Sequence, residues 1–318
     1  MNEPLEFKHY TVMKEEAVDA LNCRDGLIYV DCTLGGGGHS ELILNRISPT
    51  GKLFAFDIDD DAIKFASKRL ENYDNLTIIK DSYTNIKSAL ASHGIDKITG
   101  GVLLDLGASY HQLTKQERGF SFSKEAPLDM RFNMSAELTA YDVVNNYKEE
   151  NLIKIFSEYG EERFSKRIAK AIVKERRLKP IKTTTELAEL IVSSTPRIKS
   201  SIHPATRVFQ AIRIEVNQEL TNVKKVLEDV LELLDYGAII SVISFHSLED
   251  RIVKKLFKFE SQKCRCNNLI CTCPPPRIEL VNKKPITATE EEIKVNPPSR
   301  SAKLRIVRCI KKSEQIIE

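Results

Sequence analysis

Three apolar stretches of this chain each end in a carboxylate. LIYVDCTLGGGGHS (Leu27–Ser40) runs into Asp31 and then four glycines, Gly35 to Gly38, before His39 and Ser40. KLFAFDIDDD runs into Asp57, and VLLDLG encloses Asp105. An acid inside an apolar run is costly to bury alone, so Asp105 should have a partner. If these runs are parallel strands, the acids stand at their carboxyl ends, where open sheets bind ligands. Asp57 lies twenty residues beyond Gly37. At that spacing a carboxylate can take both ribose hydroxyls of an adenosine cofactor through charge-assisted hydrogen bonds. Asp59 or Asp60, beside the next helix start, better suits a helix cap. The glycines allow positive φ and close approach of a ligand to the main chain. A helix opening at His39-Ser40 turns its free N–H groups toward the same place. The chemistry these residues suit is the holding of a nucleoside-containing cofactor.

Further residues can be read two ways. Tyr83, just past the third strand, offers a flat face for adenine or fills the core. His246 ends a strand and carries no assigned role, and Ser247 with Asp250 can cap the helix that follows. Cys264-x-Cys266 and Cys271-x-Cys273 could hold zinc through four thiolates, or form a reduced, metal-free loop.

The elements that would position these residues follow from periodicity. Strands are expected at Leu27–Val30, Lys52–Phe56, Leu76–Lys80 and Val102–Leu106, with helices at Met13–Leu21, Ala62–Leu70 and Thr84–His93. Strands alternating with helices make a right-handed parallel sheet. From Leu113 the strand character disappears. A loop, Gly119–Asn133, leads to helical periods at Glu149–Tyr159, Glu161–Lys174 and Thr183–Ser193, the last opened by a capping box, Thr183 to Glu186. A long helical run then starts at His203-Pro204, with a break near Asn217. It is followed by a strand at Gly237–Phe245, a helix at Leu248–Phe259 and a closing strand at Lys303–Ile310. The expected organisation is a sheet domain formed by 1–112 and 203–318, interrupted by an all-helical domain, 113–202, with an irregular Cys/Pro-rich loop over 260–300.

Composition narrows the class. The 318 residues are 42% hydrophobic and 29% charged, an ordinary soluble mix. No apolar run approaches the roughly 18 to 20 residues of a membrane span. MNEPLEFKHY lacks the design of a secretory signal, and seven cysteines without one point to reduced thiols and a cytoplasmic location. The net charge of +3 is mild, but Glu161–Arg213 holds thirteen Lys/Arg against five Asp/Glu. So unbalanced a block suits a phosphate backbone better than the alternative, a solvated helix face.

The pattern Asp-x-Thr-x-Gly-x-Gly-Gly (Asp31 to Gly38) resembles the first motif of class I S-adenosylmethionine-dependent methyltransferases. LLDLGASYHQL…ERGFSF…PLDMRFN, HYTVMKEEAVDAL, YGEERFSKRIAKAIV, HPATRVFQAIRIEVNQEL, ISFHSLEDRIVK and NPPSRSAKLRIVR together resemble the ribosomal RNA small subunit methyltransferase H family, across nearly the whole chain. The resemblance implies a Rossmann-like α/β methyltransferase sheet with an inserted helical substrate domain. It implies S-adenosyl-L-methionine as cofactor, and as activity methylation of N4 of a cytidine in the decoding region of 16S rRNA. The small ribosomal subunit is then the partner, with no membrane involved and a homodimer as a candidate assembly. The family's cofactor contacts fall on Gly37, Gly38, His39, Asp57, Tyr83, Asp105 and Gln112, with Asp105 and Ser109 as the catalytic candidates. Tyr83 replaces a phenylalanine, Cys32 stands where glycine or alanine is commoner, and Tyr110-His111 replaces the usual Ser-Pro beside the expected reaction centre.

Two rival classes are weighed against this reading. A nicotinamide-dependent oxidoreductase is disfavoured because Ser40 occupies the place of the third fingerprint glycine, and hydride transfer has no use for a basic insertion. An RNA-binding or assembly factor with a degenerate pocket is disfavoured by the intact glycines and acids, although Tyr110-His111 suits it.

Overall fold

The computed structural model describes residues 11–107, 115–196, 202–266 and 272–311. The chain divides into two compact units, Met1–Gly107 with Leu220–Glu318, and Ala108–Glu219.

The first unit is built on a seven-stranded sheet in the order β3-β2-β1-β4-β5-β7-β6. Its strands are β1 (Ile28–Asp31), β2 (Lys52–Asp57), β3 (Leu76–Lys80), β4 (Gly101–Asp105), β5 (Ile239–Ser244), β6 (Ile278–Leu280) and β7 (Lys303–Cys309). Strands β1 to β5 are parallel, and β7 runs antiparallel to both β5 and β6. The chain moves outward from β1 toward β2 on one side and β4 on the other. That reversal of strand order makes the carboxyl ends of β1 and β4 the topological switch point, where open sheets of this kind bind ligands. The strands are apolar almost throughout because both faces are covered. Successive side chains alternate between two cores, as the strand period of two requires. Phe54, Phe56, Val102 and Leu104 face one core, together with Val223, Val226 and Val230 of helix Glu219–Leu233. Leu53, Ala55 and Leu103 face the other, with α1 (Lys14–Leu21) and α2 (Gly38–Arg46) contributing Val18, Leu21, Ile43 and Leu44.

Two chain segments far apart in sequence lock this sheet. Asp250, in helix Ser247–Glu260, takes the guanidinium of Arg305 on β7 through both oxygens, at 2.6 and 3.2 Å. The cap of that helix is His246 rather than Ser247. The His246 Nδ1 accepts from Glu249 N–H at 3.4 Å, and the Glu249 side chain returns to the backbone of His246. The region 260–300 is not wholly irregular. It contains β6, a helix Glu290–Val295 and a 3-10 turn Pro297–Ser301. These elements are too short to show a period in the sequence.

The second unit is helical: Ala140–Asn146, Glu149–Glu158, Ser165–Arg176, Thr184–Ser194 and Ala205–Asn217, packed around one core. The expected capping box at Thr183 and Glu186 is present, and Thr139 with Asp142 forms another. This unit extends beyond the expected limit of residue 202. Helix Ala205–Asn217 buries Val208, Phe209, Ala211 and Ile212 in the helical core, not against the sheet. The break expected near Asn217 has a local cause. Gln218 takes a left-handed φ of 50°, and Asn217 turns its amide onto the loop Gly119–Asn133. There it donates to Met130 O at 2.8 Å and accepts from Phe132 N–H at 2.7 Å. Buried Arg118 holds the same loop, donating to the carbonyls of Arg131 and Phe132.

Candidate functional site

Asp31, Asp57 and Asp105 are the last residues of β1, β2 and β4, so three carboxylates share the carboxyl edge of adjacent strands. The glycine turn lies between the first two. Gly35 and Gly37 have positive φ, 48° and 76°, and Gly37 is the N-terminal cap residue of α2. A Cβ on Gly38 would meet the Thr11 hydroxyl at 1.9 Å, so no larger residue fits there without displacing Thr11. The turn is braced from the next helix, Asp60–Arg69. Arg69 donates to Gly36 O at 3.1 Å and grips both oxygens of Glu41, on α2, at 2.7 and 3.2 Å. Its hydrogen bonds hold the Glu41 carboxyl below the usual range.

Each acid plays a different part. Asp31 is wholly buried and organises the turn: Oδ2 accepts from the Ser40 hydroxyl at 2.7 Å, and Oδ1 from Thr33 N–H at 3.0 Å. Burial raises its pKa to about 6. Asp57 ties β2 to the glycines, accepting from Gly35 N–H at 2.8 Å and from Asp59 N–H at 2.9 Å. Its two oxygens offer about four acceptor sites, so these backbone donors leave room for a ligand donor. Burial lifts its carboxyl above the ordinary value. Asp59, as expected, caps the following helix by accepting from Asp61 N–H.

Asp105 is set apart by what it lacks. Its backbone N–H donates to the Thr33 hydroxyl at 2.7 Å, but its Oδ1 is buried with no hydrogen-bond partner among the described residues. The side chain still keeps 24% of its surface, enough for a ligand atom to reach it. Burial, and after it the charge of Asp31, pushes the carboxyl well above the ordinary range. His39, buried in the first turn of α2, places Nδ1 at 3.9 Å from Asp105 Oδ2, while its Nε2 meets Val12 O at 3.1 Å.

The residues expected from the sequence therefore meet in part. Gly37, Gly38, His39, Asp57 and Asp105 gather at one edge of the sheet. Tyr83 opens a 3-10 turn (Tyr83–Asn85) just past β3 and packs, half-buried, on the core beneath β2 and β4. Ser109, Gln112 and the Tyr110-His111 departure lie outside the described residues. Of the four loop cysteines, Cys264, Cys266 and Cys273 are described and Cys271 is not. Thr33 and Ser40, which hold Asp31, and Arg69 stand outside the residues expected from the sequence. The two hydroxyls were visible as the Asp-x-Thr motif and the residue after His39, but nothing local marked Arg69.

In the helical unit, the basic residues separate into structural and exposed sets. Arg213 pairs with Glu219 at 2.9 Å, Lys179 pairs with Glu186 at 2.9 Å, and Arg176 donates to the carbonyls of Val144 and Tyr147. Arg163, Lys166, Arg167, Lys170, Lys174 and Arg177 are exposed and have no ion-pair partner among the described residues. Spaced three or four apart along and beside helix Ser165–Arg176, they form one cationic ridge. No helix among the described residues is long and apolar enough to cross a membrane.

Comparison with known proteins shows the family of the chain. A ribosomal RNA small subunit methyltransferase H of Clostridium botulinum is 49% identical over 310 residues, covering 96% of this chain and 100% of that protein. The corresponding protein of Caldicellulosiruptor bescii is 53% identical over 303 residues, covering 94% and 98%. The MraW methylase family matches residues 6–310. The chain belongs to that family, whose class of methyltransferases takes its methyl group from S-adenosyl-L-methionine.

Proposed function

We propose that the protein methylates the N4 amine of a cytidine in the decoding region of 16S rRNA, using S-adenosyl-L-methionine. The observation that carries the reading is Asp105, whose Oδ1 is buried without a hydrogen-bond partner among the described residues, at the end of β4 beside the glycine turn. An unsatisfied buried acceptor asks for a donor from a ligand. The residues suit this cofactor better than a dinucleotide. Three carboxylates at one strand edge favour a sulfonium cation and an ammonium group and repel a pyrophosphate. Asp57 keeps lone pairs for two ribose hydroxyls, Gly37 and Gly38 lie at a helix N-terminus suited to a carboxylate, and Tyr83 offers a ring for the base.

The bound cofactor supplies an electrophilic methyl group on a positively charged sulfur. The chain supplies placement and charge. The exocyclic amine of cytosine is a poor nucleophile because its lone pair is delocalised into the ring, so in-line placement is the first requirement. As the N–C bond forms and the C–S bond breaks, positive charge grows on the amine. An acceptor already fixed at its N–H groups lowers that barrier, and Asp105, with Ser109 beside it in sequence, is assigned the role. The ionised carboxylate can then take the departing proton and pass it to water. No covalent bond to the enzyme is needed. The cationic ridge Arg163–Arg177 is assigned to the RNA backbone, and the target base must be splayed out of its fold to react.

The test is methyl transfer from labelled donor to three acceptors: assembled small subunits lacking the modification, naked 16S rRNA, and large subunits. Label in small-subunit RNA supports the reading. Label confined to large subunits would overturn the substrate assignment, and absence of donor binding would overturn the site.

A further inference from the structure

The loop between helix Ser247–Glu260 and β6 carries residues that methyl transfer does not use. It spans 261–277 and has no helix or strand among its described residues. The described residues 261–266 and 272–277 take no order from secondary structure, and long connections of that kind are uncommon unless functional. At its base the Arg277 N–H donates to Glu260 O at 3.1 Å, and the Arg265 guanidinium lies over the Phe259 ring at 5.1 Å. The Glu260 carboxylate faces Arg265 at 3.6 Å and Arg277 at 3.9 Å. These contacts close the root of the loop but leave its outer part to other forces.

That outer part brings three thiols together. The sulfurs of Cys264, Cys266 and Cys273 all lie within 4.8 Å of one another, and none of the described cysteines is in a disulfide. The Cys264 and Cys266 sulfurs are 3.8 Å apart. Tetrahedral zinc with Zn–S bonds of about 2.3 Å sets neighbouring sulfurs roughly 3.8 Å apart. The Arg265 backbone N–H donates to Cys273 Sγ at 3.2 Å, a contact that favours a thiolate there.

We propose that Cys264, Cys266 and Cys273 bind a zinc ion that staples this loop. Soft thiolate donors select zinc, copper(I) or iron over hard cations, and zinc fills structural sites without redox chemistry. Each thiol gives up its proton as the ion binds, so occupancy falls as the medium is acidified. The site stands independently of the methyltransferase reading.

The experiment is elemental analysis of the full chain purified under reducing conditions without chelator. About one zinc per chain is expected, falling to less than about a tenth in C264S and C273S and unchanged in C23S, since Cys23 lies in the other part of the sheet unit. A measurement that needs no variant guards against misfolding: wild-type protein stripped of metal and titrated with cobalt(II) should develop thiolate-to-cobalt charge transfer and the strong visible bands of tetrahedral coordination. Failure to hold zinc as purified together with no cobalt spectrum overturns the proposal. So does zinc retained in full by both cysteine variants, iron or copper in zinc's place, or a disulfide among these residues in unreduced protein.

Discussion

His39 Nδ1 lies 3.9 Å from Asp105 Oδ2, and the opposite ring nitrogen of His39 meets the Val12 carbonyl at 3.1 Å. A carbonyl only accepts, so Nε2 carries hydrogen and Nδ1 is the nitrogen turned to the acid. Asp105 thus has a titratable ring on one side and Asp31, Glu249 and Glu292 adding negative potential around it. Burial raises its pKa well above the carboxylate norm, and those acids raise it further.

That arrangement sets the pH dependence of turnover. Only ionised Asp105 can take the proton that leaves the target amine, so turnover should rise with pH through a limb displaced above the ordinary carboxylate range. Asp105→Asn should remove the limb and lower turnover by about a hundredfold or more, the usual scale for a lost transition-state acceptor. Single-turnover transfer across pH reads both effects. A variant with full turnover and an unchanged profile would rule out a charged role.

Asp31 gives a stability effect of known sign. Its folded pKa, about 6, exceeds the ordinary aspartate value of 3.8. Its relative stabilisation is therefore complete below about pH 4 and is lost as pH rises through about 6. Asp31→Asn removes this dependence. The stability difference between wild type and variant should shift by on the order of 3 kcal/mol across that window, favouring the variant at the higher pH. Denaturant melts at several pH values measure it, and a constant difference would mean that Asp31 titrates as an ordinary acid.

Arg69 tests whether the glycine turn is preorganised. It joins Gly36 O to Glu41 across two helices. Arg69→Met should weaken donor binding by roughly three- to tenfold through a loosened turn, and leave RNA affinity unchanged. Calorimetric titration with S-adenosyl-L-methionine separates this from a general loss of folding.

The cationic ridge predicts a salt signature. Reversing Lys166, Lys170 and Lys174 to Glu should weaken RNA binding and reduce the slope of log affinity against log salt by about 2, near 0.7 for each lost contact to single-stranded RNA. Donor affinity should not move. An unaltered slope would assign these lysines to a solvated face.

The legible parts of this molecule are those written in local pattern. Strands such as Val102–Leu104 show as apolar runs because both their faces are buried, and Asp59 shows as a cap because it directly precedes a helix. The glycines and Asp57 could be joined on spacing alone, and a 2.8 Å hydrogen bond from Gly35 to Asp57 now joins them. Long-range partners were not legible. Arg69 gripping Gly36 depends on how two helices pack, and no local signal records it. The limit of the helical unit was misplaced because helix Ala205–Asn217 has the same period whichever core it serves. His246 took the cap from Ser247 because an imidazole nitrogen can accept a backbone N–H just as a hydroxyl does.

The most direct test of the central claim is nucleoside mass spectrometry of 16S rRNA after reaction of unmodified small subunits with the protein and S-adenosyl-L-methionine. The account predicts N4-methylcytidine at a single cytidine of the decoding region, formed by wild type and greatly reduced with Asp105→Asn. A methyl group on cytosine carbon, on a ribose hydroxyl or on another base would contradict it.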